Sequence, residues 1–245
     1  MASNWNYLAR FLRWADRHIQ RSRAVSAYNR YRDATMIQEC AFVENLELAR
    51  RIAADSSFAR CSVVECGTWR GGMSAALIEV MGRERSYHFF DSFAGLPPAK
   101  AIDGEAARRW QENTNSPYNY NNCTASQEEF IATINRTGID HDKVHVYPGL
   151  FQNTVGTIDV GRIALLRLDG DWYDSTMCCL RAFFPRMADG GYVIIDDYGF
   201  WDGCTRAVHD YLARNERTES IYRHGLSNVP YIKVCNNNAS ANLRA

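Results

Sequence analysis

From Cys61 onward, short apolar runs alternate with helical stretches, and four of those runs end in an acidic residue. That alternation is the signature of βαβ units, in which a mostly parallel sheet is buried between helices. Strands are expected at Ser62–Glu65, Tyr87–Asp91, Val144–Pro148, Ile163–Asp169, Tyr192–Asp196, Ser220–Arg223 and Tyr231–Val234. Helices fall between them at Gly72–Met81, Ser126–Asn135, Ser175–Phe184 and Cys204–Asn215, the third opened by Ser175 as N-cap. Ligands of open α/β sheets bind beyond the carboxyl ends of the strands. Glu65, Asp91, Asp169 and Asp196 are therefore expected to converge on one rim.

Upstream of the alternating region, residues 1–58 read as a helical arm and lid, and 59–245 as a single domain. Met1 to Asp33 carries seven arginines against two aspartates, interleaved with aromatic and aliphatic residues. This is a basic amphipathic helix, suited to a partner chain, an anionic lipid face or nucleic acid, or to packing on the domain as a solvated helix or dimer arm. A second helical stretch runs from Met36 to Ala53. Over the whole chain the charges balance, 28 basic against 28 acidic, so nucleic acid is not an expected partner; membrane contact through the basic helix is the lesser alternative. No run is apolar enough to span a membrane and no leader is apparent, so a cytoplasmic address and a homo-oligomer are the expectations. The eight cysteines include no CxxC pair, which disfavours a zinc cage and predicts reduced, mostly buried thiols. Ala94 to Ala125, rich in Pro, Asn, Gly and Tyr, is too long for an ordinary connection and is expected to cover the substrate; the Asn-rich end from Cys235 to Ala245 reads as frayed.

The first strand leads into Glu65, Cys66, Gly67, Thr68, Trp69, Arg70, Gly71 and Gly72. Glycines at a strand-to-helix turn let the backbone approach a ligand, and the helix N-terminus offers free N–H groups. The spacing is not that of a dinucleotide fingerprint, and Glu65 would repel a pyrophosphate. A cofactor with a cationic group, an amino-acid tail and a nucleoside fits better, and S-adenosylmethionine has all three. Asp91, at the end of the second strand, stands where a carboxylate can accept both ribose hydroxyls.

The fourth strand ends in Asp169, Gly170, Asp171 and Trp172, and the fifth in Asp196 and Asp197. Neighbouring strands lie about 4.8 Å apart, so Asp169 can face Asp196 and Asp197 across a gap that suits one small cation. Crowded carboxylates repel, and a divalent ion relieves the conflict. All-oxygen ligation favours Mg²⁺, with Mn²⁺ or Ca²⁺ as alternatives, over zinc. Asp171 is the candidate general base for an acceptor hydroxyl, with His209 as the lesser candidate. Trp69, Trp172 and Trp201 either stack on a ligand or wall the pocket.

Six segments carry a family resemblance: VECGTWRGG, FFDSFAGLP, YPGLFQNT, LRLDGDWYDST, GGYVIIDDYGFWDGC and VPYIKV. In this order they resemble the macrocin O-methyltransferase family, and the likeness begins at Met36. It implies a Rossmann-like class I methyltransferase fold with a seven-stranded sheet, S-adenosylmethionine as donor, and Mg²⁺ chelated by neighbouring sugar hydroxyls. Asp169, Asp196 and Asp197 would hold the metal and Asp171 would be the base. Glu65, Gly67, Thr68, Gly71, Asp91, Ser92, Phe151 and Asp169 would line the cofactor site, and Met36 to Leu48 would be a lid helix. The expected function is methylation of a sugar hydroxyl in a glycosylated natural product or glycan. A catechol-like acceptor is the alternative, and a polyanion-binding module with a relic core is the reading from another class.

Overall fold

The computed structural model describes residues 18–156 and 158–235. The first half of the basic segment and the Asn-rich end after Cys235 lie outside the described residues. In chain order the elements begin with α1 (18–31), α2 (Glu39–Ala53), β1 (Ser62–Cys66), α3 (Gly72–Met81) and β2 (Tyr87–Asp91). Next come α4 (Glu105–Glu112), a single turn α5 (Tyr120–Cys123), α6 (Gln127–Asn135), β3 (Val144–Pro148), α7 (Phe151–Thr154) and β4 (Ile163–Leu168). The chain closes with α8 (Tyr173–Phe183), β5 (Met187–Ile195), α9 (Asp202–Arg214), β6 (Ile221–His224) and β7 (Val229–Lys233).

β1 and β4 are buried along their whole length, as apolar runs must be when a sheet is covered on both faces. The seven strands lie in the order β3-β2-β1-β4-β5-β7-β6. The first five are parallel, and β7 returns antiparallel between β5 and β6. One side of the sheet packs against α1, α2, α3 and α6 through Tyr31, Phe42, Leu46, Leu77 and Phe130. The other packs against α8 and α9 through Phe183, Leu180, Val208 and Tyr211.

Register aligns the rim. Cys66 pairs with Phe90 on one side and with Leu168 on the other, and Leu168 pairs with Ile195. The strand ends are therefore level, and Asp91, Asp169 and Asp196 each lie one residue beyond that line. Two close approaches demand glycine. A Cβ on Gly67 would stand 1.7 Å from the Asp169 carbonyl oxygen, and one on Gly72 would stand 2.6 Å from that of Ala34.

Two local expectations are corrected. β5 begins at Met187, ahead of the expected Tyr192, because the pairing with β4 jumps from Met187 to Tyr192 around Gly190, which has φ +79°. α8 is capped at Trp172 rather than Ser175; Asp103, from the insertion, accepts the Tyr173 N–H at 2.7 Å, and Ser175 is buried inside the first turn. Within the 94–125 insertion lie α4 and a turn at Tyr120–Cys123 whose four residues have φ between 49° and 58°. Left-handed backbone costs most side chains energy, and the two asparagines tolerate it best.

Two of the three described arginines of α1 are spent within the chain: Arg21 pairs with Glu47, and Arg30 with Glu79. Tyr31 donates to the same Glu79 carboxylate at 2.6 Å, and Ala24 and Ala27 are buried in the core. All eight cysteines are free; Cys66, Cys179 and Cys204 are buried, four are half-buried and Cys235 is exposed. Among the described residues, no helix is long and apolar enough to cross a membrane.

Candidate active site

Beyond the level strand ends lies a cleft of about 880 Å³, including its mouth. Glu65, Gly67, Thr68, Asp91, Ser92, Phe151, Asp169 and Asp171 all line it. Gly71 does not: its N–H bonds the Thr68 carbonyl, and its α-carbon faces the Phe130 ring. Its place at the start of α3, with φ +83°, is one a turn requires of glycine. The segment before α2 contributes Thr35, Met36 and Ile37 to the wall, and the insertion contributes Leu96, Pro97 and Cys123.

Asp91 organises the glycine turn as well as facing the cleft. Its Oδ2 accepts the backbone N–H groups of Thr68 and Trp69 at 2.7 and 2.8 Å, and its Oδ1 accepts that of Phe93 at 2.8 Å. A carboxylate offers about four lone-pair sites, so most of this one already shapes the loop. Trp69 packs edge-on against Tyr120, so the insertion rests on the glycine turn.

A single buried guanidinium holds the acidic side together. Arg167, 1% exposed, pairs with Glu65 at 3.0 Å, with Asp169 at 2.9 Å and with Asp196 at 2.7 Å, and its Nε donates to Asn45. The contact with Asp196 is an ion pair rather than an aligned hydrogen bond. Register explains the convergence. Glu65 pairs with Arg167, and Arg167 with Ile194, so all three share a face, and Asp169 and Asp196 follow two residues later on that same face. Burial opposes the Arg167 charge, but the surrounding Asp196, Asp169 and Glu65 outweigh it and hold its proton more firmly than usual. Glu65 also accepts a hydrogen bond from Ser74, yet burial keeps its carboxyl above the ordinary range.

Carboxylate oxygens of Asp169, Asp171 and Asp197 lie within 4.8 Å of one another. This grouping differs in one member from the expected metal set: Asp171 is in it, whereas Asp196 turns toward Arg167. Consecutive residues at a strand end point to opposite sides, which separates Asp196 from Asp197. The Asp171 N–H donates to Asp197 at 2.9 Å, and the Asp171 side chain accepts the Trp201 indole N–H at 2.9 Å. Burial first, and then mutual repulsion, push the Asp169 and Asp197 carboxyls well up. The same causes raise Asp171 to about 7, against the Trp201 hydrogen bond. Three carboxylates contact one guanidinium and two more, Asp171 and Asp197, lie beside Asp169, and an all-oxygen donor set with surplus negative charge fits a hard divalent cation.

Trp69 lines the cleft with Arg70 over its ring, whereas Trp172 and Trp201, 2% and 7% exposed, are buried beside it and are not among its lining residues. His209 is on α9 and interacts with the Tyr198 hydroxyl at 3.0 Å, away from the acids. Arg167 was not singled out in the sequence, yet a charge inside an otherwise apolar central strand can persist only with buried partners, and that was the available signal.

Over residues 9–231 the chain matches the family described as macrocin-O-methyltransferase (TylF). The 8-demethyl-8-(2,3-dimethoxy-alpha-L-rhamnosyl)-tetracenomycin-C 4'-O-methyltransferase of Streptomyces olivaceus is 39% identical over 157 residues, covering 62% of this chain and 58% of that protein. Demethyldecarbamoylnovobiocin O-methyltransferase of Streptomyces niveus is 34% identical over 164 residues, covering 65% of this chain and 61% of its own length. The chain thus spans about three fifths of the curated relatives it matches. Among solved structures, that of the O-methyltransferase NovP superposes with a TM-score of 0.68 at 27% identity, covering 83% of each chain. The fold is that of class I S-adenosylmethionine-dependent methyltransferases.

Proposed function

The chain belongs to the macrocin-O-methyltransferase family, and from that premise we propose that it moves a methyl group from S-adenosylmethionine to a sugar hydroxyl of a glycosylated natural product or glycan, with Mg²⁺ at the carboxylate rim. The observation that carries the reading is the oxygen cluster of Asp169, Asp171 and Asp197 beside a cleft built on the glycine turn. The two relatives described above are named for O-methylation of a rhamnosyl tetracenomycin and of a novobiocin precursor, which supports a glycoside acceptor.

In this reading Asp169 and Asp197 hold the cation with Asp171 beside them, while Arg167 fixes Asp169 in place and keeps Asp196 turned out of the cluster. Bound there, a divalent ion supplies the positive charge that makes an acceptor hydroxyl more acidic, while the sulfonium donor supplies the reactive methyl. Asp91, Ser92 and the Gly67 turn hold the nucleoside, and Glu65 faces the donor's cationic end. Asp171 takes the hydroxyl proton through Oδ2, the oxygen that has no hydrogen bond among the described residues, because Oδ1 is committed to Trp201. The rest is placement of an oxygen in line with the methyl.

The test is incubation with S-adenosylmethionine and a panel of glycosides, free deoxysugars and catechols, read by mass spectrometry with Mg²⁺ and with EDTA. A one-methylene gain on glycosides that EDTA abolishes and Mg²⁺ restores is expected. Methylation of catechols alone would move the acceptor class, and full activity after metal stripping would end the metal assignment.

A further inference from the structure

Three indoles meet at the acidic rim. Trp172 and Trp201 lie edge-to-face with centroids 5.4 Å apart, and Trp110 of α4 packs on Trp201 at 5.9 Å and on Trp172 at 6.4 Å. Their N–H groups point to three different tasks. Trp172 donates to the Pro97 carbonyl at 2.9 Å and Trp110 to that of Tyr118 at 3.2 Å, both within the insertion. Trp201 alone donates to a carboxylate, Oδ1 of Asp171 at 2.9 Å. An indole is a donor only, so this contact can orient the acid but cannot exchange a proton with it.

Asp171 needs orienting. It sits at φ +56°, a left-handed conformation for a non-glycine residue, in a short turn where its own N–H is tied to Asp197. Its side chain is fixed by the Trp201 indole, which packs in turn against three rings, Phe200 at 4.6 Å, Trp172, and Trp110 from the insertion. Trp201 is anchored on its other side as well, its backbone N–H donating to the Asp197 carbonyl at 3.1 Å.

We propose that Trp201 is a positioning residue for Asp171, and that Trp110 makes that placement depend on the insertion lying over the site. Substrate cover and the reactive geometry are thereby coupled, so that Asp171 is held in its working rotamer when α4 is docked. This rests on the reading of Asp171 as the base.

Trp201→Phe keeps an aromatic ring in the triangle and removes the donor together with the five-membered ring that carries it. Its turnover should fall about tenfold, the scale of one lost hydrogen bond to a charged group, with KM for S-adenosylmethionine unchanged. Trp110→Ala should cost about threefold and add nothing to Trp201→Phe, because both act through one contact. In the Asp171→Asn background, Trp201→Phe should have no further effect. A readout independent of activity is the ¹⁵N indole resonance of Trp201, identified by its loss in Trp201→Phe, which should shift in Asp171→Asn and in Trp110→Ala. Wild-type turnover in Trp201→Phe, additive losses in the double variant, a raised donor KM, or an unmoved indole resonance would each overturn the proposal. Wild-type turnover in Asp171→Asn would instead overturn the reading of the base, which keeps the two failures distinct.

Discussion

Replacing Arg167 by Met should be the most damaging single substitution at the site, because it removes the only cation from a buried acidic cluster while leaving the side chain's volume roughly intact. Glu65 is 1% exposed, as is Arg167, and loses its 3.0 Å partner; Asp169 and Asp196 lose theirs at 2.9 and 2.7 Å. Breaking a buried pair from one side typically costs about 3–5 kcal/mol. For a chain of this size, each kcal/mol lowers the unfolding midpoint by roughly 2–4 °C, so a fall of about 10 °C is expected. The sign of the pH dependence follows from the acids left behind. Burial already raises the Glu65 and Asp169 carboxyls, and without the guanidinium they rise further above their unfolded values, so the variant loses stability as pH rises and its deficit should be smaller at acid pH. Adding Glu65→Gln to Arg167→Met removes the orphaned charge and should recover part of the loss. Chemical denaturation of the four forms at acid and mildly alkaline pH measures all three effects. An Arg167→Met protein within about 1 kcal/mol of wild type at both pH values would refute the argument, since buried charges then would not need their partner.

Asp171→Asn should lower turnover by about 10²–10⁴, the usual yield of a general base, while calorimetric affinity for S-adenosylmethionine stays within a few-fold; loss of cofactor binding would mean the residue holds the donor instead. His88, on β2, stacks on His145 and is 5% exposed, and burial and then repulsion from His145 lower its pKa to about 4. Its folded value lies below the unfolded one, so it contributes stability above the unfolded pKa that is lost as pH falls toward 4, on the order of 3 kcal/mol. His88→Phe should flatten that part of the stability profile, and an unchanged acid limb would contradict the assignment.

The strand ends were legible because parallel strands write themselves as apolar runs and because their register is level: Asp91 and Asp169 fall where counting places them. The charge pattern of α1 was equally plain, but not that Arg21 and Arg30 would find Glu47 and Glu79 on other helices. Arg167 was obscured by the motif around it, which drew the eye to the aspartates downstream. Its role depends on cross-strand pairing with Glu65, a non-local fact. Asp196 and Asp197 looked equivalent as neighbours in sequence, yet the two-residue period of a strand sends them to different partners, Arg167 and the Asp171 amide. The cap of α8 was misplaced for a related reason. A serine is a local signal, whereas the group that satisfies the Tyr173 N–H is Asp103, 70 residues upstream. Helix α4 escaped notice because it buries little, Ala107 being its one buried residue, and what fixes it is Trp110 against Trp172 and Trp201.

The claim on which the site depends is that these aspartates form one place for a divalent cation. Manganese titration followed by electron paramagnetic resonance counts such sites directly, since the signal of free Mn²⁺ drops as it binds. One Mn²⁺ per chain, displaced by Mg²⁺ and lost in Asp197→Asn, is the expected result; a free-ion signal that rises without a lag from the first addition would contradict it.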